Sequence, residues 1–210
     1  VAPSAPVASV ILTPRPGRSL VWIGGNAIRG TWFLVLIHVG AAAVLLTSPS
    51  WLDWAIFVPM LVARGLITTV GYHRYFSHRA FETSRPMQLV FALAGASSAQ
   101  RGPLWWAAHH RRHHVFSDTE RDAHTPLSGF WWSHVLWFFT RRNYRTDVAR
   151  IRDFASYPEL RLVDRFDSLV PITLAVGTYV LGEVLRAYGY ATSGWQMLVV
   201  GFCWSTVLLF

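Results

Sequence analysis

Residues 104–122 read LWWAAHHRRHHVFSDTERD, and the rest of the chain is organised around this stretch. Within it His110, His113 and His114 stand at H-x-x-H-H spacing. At about 3.6 residues per turn, positions i, i+3 and i+4 share one helix face, so a helix here aims three imidazoles into one small volume. Neutral imidazole is a ligand for iron, zinc and copper. A second pair, His73 and His78 in HRYFSH, lies upstream. Its i, i+5 spacing does not hold both rings on one face of a regular helix, which predicts a frayed helix end. A tract rich in His and Arg is, by itself, commonly a solvated basic face. Two boxes, each just beyond an apolar segment, favour a metal site instead. The one cysteine, Cys203, sits in an apolar run, so a cysteine-type zinc site and a disulfide framework are both excluded.

The composition is that of a membrane protein. The 210 residues are 52% hydrophobic and 14% charged, against about 25% charged in a soluble domain. All 19 basic residues are Arg, and the formal charge is +8. These arginines are interleaved with acids and apolar runs. Anionic lipid headgroups or an acidic substrate group are therefore better partners than nucleic acid.

Read in order, the chain predicts an all-α integral membrane protein: four transmembrane helices in two hairpins, with a cytoplasmic helical cap carrying the histidine boxes. Residues 1–20, rich in Pro, Ala, Ser and Val, read as a mobile tail, and 21–210 as a single membrane domain. The spans are expected at about 31–47, 51–71, 169–185 and 195–210, since a bilayer core takes about 20 apolar residues per helix. His38 in the first span reads as a satisfied core histidine. Arg64 in the second is costly in lipid and should face protein or the headgroups. The apolar run 87–99 is too short to span. The cap, 72–168, is polar with interfacial aromatics such as Phe130, Trp131 and Trp132. Arginines flank the first span and fill the central loop, whereas the two hairpin turns hold none. By the positive-inside rule the tail, both boxes and the cap are cytoplasmic. No signal peptide is evident. The chain opens on Val and stops at Phe210 within an apolar run, which reads as part of a longer product.

Five box histidines exceed what one tetrahedral zinc uses. They could serve two metals, each with additional ligands from elsewhere. An all-histidine site at the mouth of a helical bundle suits a redox metal that activates oxygen, and the membrane setting implies a lipidic substrate. The Glu-x-x-His motif of soluble carboxylate di-iron bundles is absent.

The strings G-Y-H-R-Y-F-S-H, W-x-x-x-H-R-x-H-H, F-S-D-T, D-A-H and G-F-W-W-S-H-V-L-W together resemble the membrane fatty acid desaturases, in particular their stearoyl-CoA desaturase-like branch. The likeness covers about residues 30–210. It implies oxygen-dependent insertion of a cis double bond into an acyl chain, typically between carbons 9 and 10. It also implies a di-iron centre, with O2 as co-substrate, and two electrons from cytochrome b5, ferredoxin or rubredoxin with its reductase. Residue by residue, the resemblance makes His73, His78, His110, His113 and His114 iron ligands. It makes Gln100 and Trp106 residues that bend the acyl tunnel, and Arg141 and Arg142 a basic pair at the acyl carrier's headgroup.

Two positions depart from the animal enzymes of that family. Ala108 and His109 stand where an Arg-Asp pair helps hold coenzyme A, so acyl-CoA, acyl-lipid and acyl-carrier protein all stay open as carriers. His109 is not expected to be a sixth ligand, because adjacent residues seldom face one metal pair. His124 and His134 fit family strings without being ligands there. The family's third histidine box follows its fourth span, beyond Phe210, so the 210 residues alone are expected not to desaturate. The alternatives are a related His-box membrane hydroxylase, a non-catalytic remnant, and a membrane protein that binds or transports metal without oxidation.

Overall fold

The computed structural model describes residues 25–210, without the side chains of 25–30 and of Arg141; the expected tail, 1–20, lies outside the described residues. The described residues are helical, joined by turns. The first helix, α1, spans Gly25–Ala42 and tightens into a 3-10 turn over Ala43–Leu46. Ser50 then opens α2. Asp53 sits in its first turn and accepts from the Ser50 N–H (2.7 Å) and hydroxyl (2.9 Å), covering a backbone donor that the helix cannot use. The helix runs unbroken over Trp51–Ser77, 27 residues. At about 1.5 Å per residue this exceeds a hydrocarbon core of about 30 Å.

Helix α3, Arg85–Ala96, begins at Ser84, whose hydroxyl accepts from the Met87 N–H (3.4 Å). Its 12 residues are too few to span, as the apolar run 87–99 predicts. Ala99 and Arg101 then take left-handed backbone conformations (φ 62° and 73°) and turn the chain into α4, Pro103–Phe116, which bears the H-x-x-H-H box. Short helical turns lead to α5, Pro158–Arg165, and then to α6, Leu169–Ala187. The last helical stretch, α7, covers 194–207 and winds as a wider π-helix over Met197–Trp204.

Two apolar clusters result. Tyr72, Phe76, Ala92, Leu104, Ile151 and Leu160 pack the end of α2 against α3, α4 and α5 beneath the histidine boxes. In the helical bundle, Ile37 and Ala41 of α1 meet Phe202 and Cys203 of α7. The outward faces are apolar as well. Val58, Val62 and Leu66 on α2, and Ile172, Val176 and Val180 on α6, are exposed at helical spacing. Continuous exposed stripes of this kind are avoided in water and fit lipid tails. The protein is a membrane helical protein, and α2 and α6 are each long and apolar enough to cross a bilayer.

The other two expected spans come out differently. Residues Thr31–Leu46 form a shorter apolar helix. Helix α7 is mostly buried, because it sits between α1, α2 and α6 and presents little to lipid. His38 is exposed rather than in a core. Its ring is satisfied by its own helix, with Nδ1 2.8 Å from the Leu34 carbonyl. Arg64 is buried as expected, facing protein.

Candidate metal centre

The first box does not sit on a frayed end. Over Thr68–Ser77 the backbone of α2 widens to π winding, and the His78 N–H donates to the His73 carbonyl (3.1 Å). In an α-helix, residues five apart point about 140° away from each other. One π turn closes between i and i+5, so His73 and His78 come to lie side by side with ring centroids 4.5 Å apart. On α4, His110 and His114 are one turn apart and face them. The four ligand nitrogens all lie within 4.8 Å of one another.

Three Nε2–Nε2 approaches link these rings: His73 to His78 at 3.1 Å, His78 to His110 at 3.2 Å, and His110 to His114 at 3.0 Å. A neutral imidazole nitrogen carries either one hydrogen or one lone pair. Four such nitrogens in a row can therefore form two full hydrogen bonds, and the third approach is left without a hydrogen of its own. A cation at their centre removes the conflict, because all four lone pairs can point at it. Burial, reinforced by the neighbouring imidazoles, drops the His110 ring to about 3, so it stays neutral and able to donate. The chemistry of the donor set, four imidazoles, fits iron.

His113 departs from the expected grouping. Residues 113 and 114 are neighbours, so on an α-helix their side chains diverge by about 100°. His114 points at the first box, whereas His113 turns aside. Its Nδ1 lies 2.8 Å from Oδ2 of Asp122, whose side chain is fully buried, and its ring stacks on His124 at 4.4 Å. The chain reverses after α4 at Asp118, which has φ 60°, and the turn carries Asp122 and His124 back beneath His113. His113, Asp122 and His124 thus form a second group with metal-ligand chemistry beside the first. The D-A-H string marked these residues in the sequence, but their return to His113 depends on the turn.

No family model matches the chain. A search among curated proteins finds an sn-1 stearoyl-lipid 9-desaturase of Anabaena variabilis, 32% identical over 81% of this chain and 60% of the relative. An sn-2 palmitoyl-lipid 9-desaturase of Nostoc sp. (strain 36) is 31% identical over 88% of the chain and 64% of its own length. An acyl-CoA 5-desaturase of Anemone leveillei is 29% identical over 90% of the chain and 58% of its own length. Over most of its length the chain is similar to fatty acid desaturases. It spans about six-tenths of the length of these relatives.

In this chain the other predicted site residues gather unequally. Trp106 stacks on His110 (4.7 Å between centroids, 23° between planes) and meets His73 edge-on at 6.4 Å. Its indole N–H donates to the Gln100 side-chain oxygen (3.1 Å), so the two adjoin the histidine cluster together. Arg142 is exposed on the short helix Arg141–Tyr144, and the side chain of Arg141 lies outside the described atoms. His109 is buried between Trp105 and Trp137, with Nδ1 2.9 Å from the Trp105 carbonyl; burial lowers it to about 4. It faces away from the four-histidine cluster, and His134 stacks instead on Phe130.

Proposed function

We propose that these residues carry the catalytic part of an oxygen-dependent fatty acyl desaturase that inserts a cis double bond at carbon 9 of a saturated acyl chain. The observation that carries this reading is the convergence of the His73, His78, His110 and His114 Nε2 atoms. In it, those four histidines hold one iron and His113 serves a second. The Nδ1 of His113 is committed to the buried Asp122, an arrangement that fixes the tautomer of a ligating imidazole and orients it. When bound, the two irons supply the oxidising chemistry. In the overall reaction two hydrogens leave adjacent carbons, O2, two electrons and two protons are consumed, and two waters are the co-product.

The protein's own groups hold and shape. Trp106 braces the His110 ring, and Gln100 holds the Trp106 indole, so the pair forms the wall that bends an acyl chain beneath the metals. Arg141 and Arg142 meet the acyl carrier's headgroup. Two of the relatives named above are 9-desaturases of lipid-bound chains and one is an acyl-CoA 5-desaturase. The bond position and the carrier are therefore the parts of this reading that rest on product analysis. Cytochrome b5, ferredoxin or rubredoxin with its reductase supplies the electrons. Helices α1, α2, α6 and α7 are the four spans, with both boxes cytoplasmic, in keeping with the arginine asymmetry.

The test is to express the gene product bearing these residues in cells fed isotopically labelled stearate, beside a His110→Ala version. Iron is then measured in the purified protein and the acyl chains are analysed by mass spectrometry. The expected result is a new double bond at carbon 9, absent with His110→Ala. A hydroxylated chain would assign the site to the hydroxylases, and neither product nor bound iron would overturn the reading.

A further inference from the structure

Arg111 lies between the box histidines in sequence but points to the opposite side of α4. Its guanidinium has five N–H groups, and all five are used. The Nε–H donates to the Ser77 carbonyl (3.0 Å). Nη1 donates to the Arg150 carbonyl and to Asp153 Oδ1, both at 3.0 Å. Nη2 donates to the Phe76 carbonyl (2.7 Å) and to Asp153 Oδ2 (2.9 Å). The Asp153 carboxylate thus grips the fork with both oxygens, the pairing that fixes a guanidinium plane best.

The two carbonyls from α2 matter most. Phe76 and Ser77 close the π segment, where helix carbonyls run out of partners within the helix. Arg79, two residues beyond Ser77, is already left-handed (φ 51°), so the backbone reverses at once. Ser77 directly precedes His78. One side chain of α4 therefore holds the peptide that presents His78, while the residue before it, His110, supplies a facing nitrogen 3.2 Å away. The positive group also lies at the negative end of the helix, which adds to the attraction.

We propose that Arg111, oriented by Asp153, is a positioning residue for the metal centre: it sets where the first histidine box stands relative to the second. This rests on the reading that the four imidazoles hold a metal. Arg111 itself touches none of the cluster's nitrogens through any hydrogen bond described above, so it acts through the Phe76–Ser77 backbone.

The experiment is an anaerobic titration of the detergent-solubilised chain with cobalt(II), followed by its visible d–d absorption, with helical circular dichroism recorded in parallel. The variants are Arg111→Gln, Arg111→Lys and Asp153→Asn, with Arg85→Gln as a control that breaks an ion pair away from the cluster. Arg111→Gln is expected to weaken cobalt binding about 10- to 100-fold and alter the d–d spectrum, the range seen when groups supporting metal ligands are removed. The helical signal is expected to hold. Arg111→Lys keeps the charge but not the fork and is expected not to restore the spectrum. Asp153→Asn retains an acceptor and is expected to fall between. Arg85→Gln is expected to bind as wild type. Should Arg111→Gln fail to fold, Asp153→Asn carries the test, and wild-type affinity and spectrum in it would overturn the proposal. Wild-type binding by a folded Arg111→Gln would overturn the proposal alone, whereas a wild-type chain that takes up no cobalt would overturn the metal reading and the proposal with it.

Discussion

His109 and His110 are neighbours of the same residue type with opposite environments. His110 has its Nε2 close to those of His78 and His114, whereas His109 is spent on a backbone carbonyl between two indoles. His110→Ala is expected to abolish tight metal binding, and His109→Ala to retain the bound metal, as measured by metal analysis of the purified proteins. Equal losses in both would refute the division. Arg64 makes a different point about single residues. It is buried in the bundle and donates to the Ser97 carbonyl (2.6 Å) and to the hydroxyls of Ser205 (2.7 Å) and Thr206 (2.8 Å). Both hydroxyls also donate to α7 carbonyls, so they stay satisfied without the guanidinium. Arg64→Met orphans mainly the Ser97 carbonyl and removes a costly buried charge. It is expected to lower stability by about 1–3 kcal/mol. Arg64→Ala adds a cavity and is expected to cost more. Unfolding midpoints in detergent give the comparison, and wild-type stability in both variants would remove Arg64 from the packing.

At the scale of elements, α3 is held to the π end of α2 by fit and to α5 by charge. Gly95 lies against the Tyr72 ring, and a Cβ there would enter it. Tyr72 is fully buried, with its hydroxyl donating to the Arg101 carbonyl (3.1 Å), so the ring has nowhere to go. Gly95→Ala is expected to destabilise by about 1–3 kcal/mol through overpacking, and an unchanged unfolding midpoint would show that the helices can separate freely. The second tie is Arg85 to Glu159, at 2.6 and 2.9 Å. Hydrogen bonds from Arg85 hold the Glu159 carboxyl at about 2 rather than its ordinary 4.5. A carboxyl depressed in the folded state stabilises it above the unfolded value and loses that contribution as pH falls through the folded one. Glu159→Gln is thus expected to melt below wild type near pH 7. The gap should close between about pH 4.5 and 2, and should narrow in salt because the pair is exposed. A gap that is constant with pH would mean the carboxylate charge contributes nothing.

For the whole molecule, the two hairpin turns meet at the end remote from the histidines. Thr192 donates to the buried Asp53 (2.5 Å), and the Gln196 side chain donates to the Ser48 carbonyl (2.5 Å). These contacts set the α1–α2 and α6–α7 turns side by side, so on the proposed four-span topology both emerge on the side of a membrane opposite the cap. Single cysteines at Leu46 and Tyr188, both highly exposed, are expected to label from the side opposite a cysteine at Ser117. The native Cys203 is buried and should stay silent. Labelling of all three from one side would defeat the four-span topology.

The sequence by itself determined the ligand chemistry and the class of fold. Imidazoles at H-x-x-H-H spacing need only helical geometry to face a common site, and apolar runs of the length of 51–71 and 169–185 have few stable homes outside a bilayer. It also paired Gln100 with Trp106, through the resemblance their surroundings carry. Tertiary structure decided what local periodicity cannot express. The π winding that unites His73 with His78 has an extra residue in the turn, accommodated by the Gly95 notch against Tyr72 and held by Arg111 from another helix. The turning of His113 toward Asp122 depends on a chain reversal nine residues long. The neutral nest around Arg64 is drawn from residues 33 to 142 positions away. In each case the deciding partner is distant in the chain, so its contribution becomes available only when the helices pack.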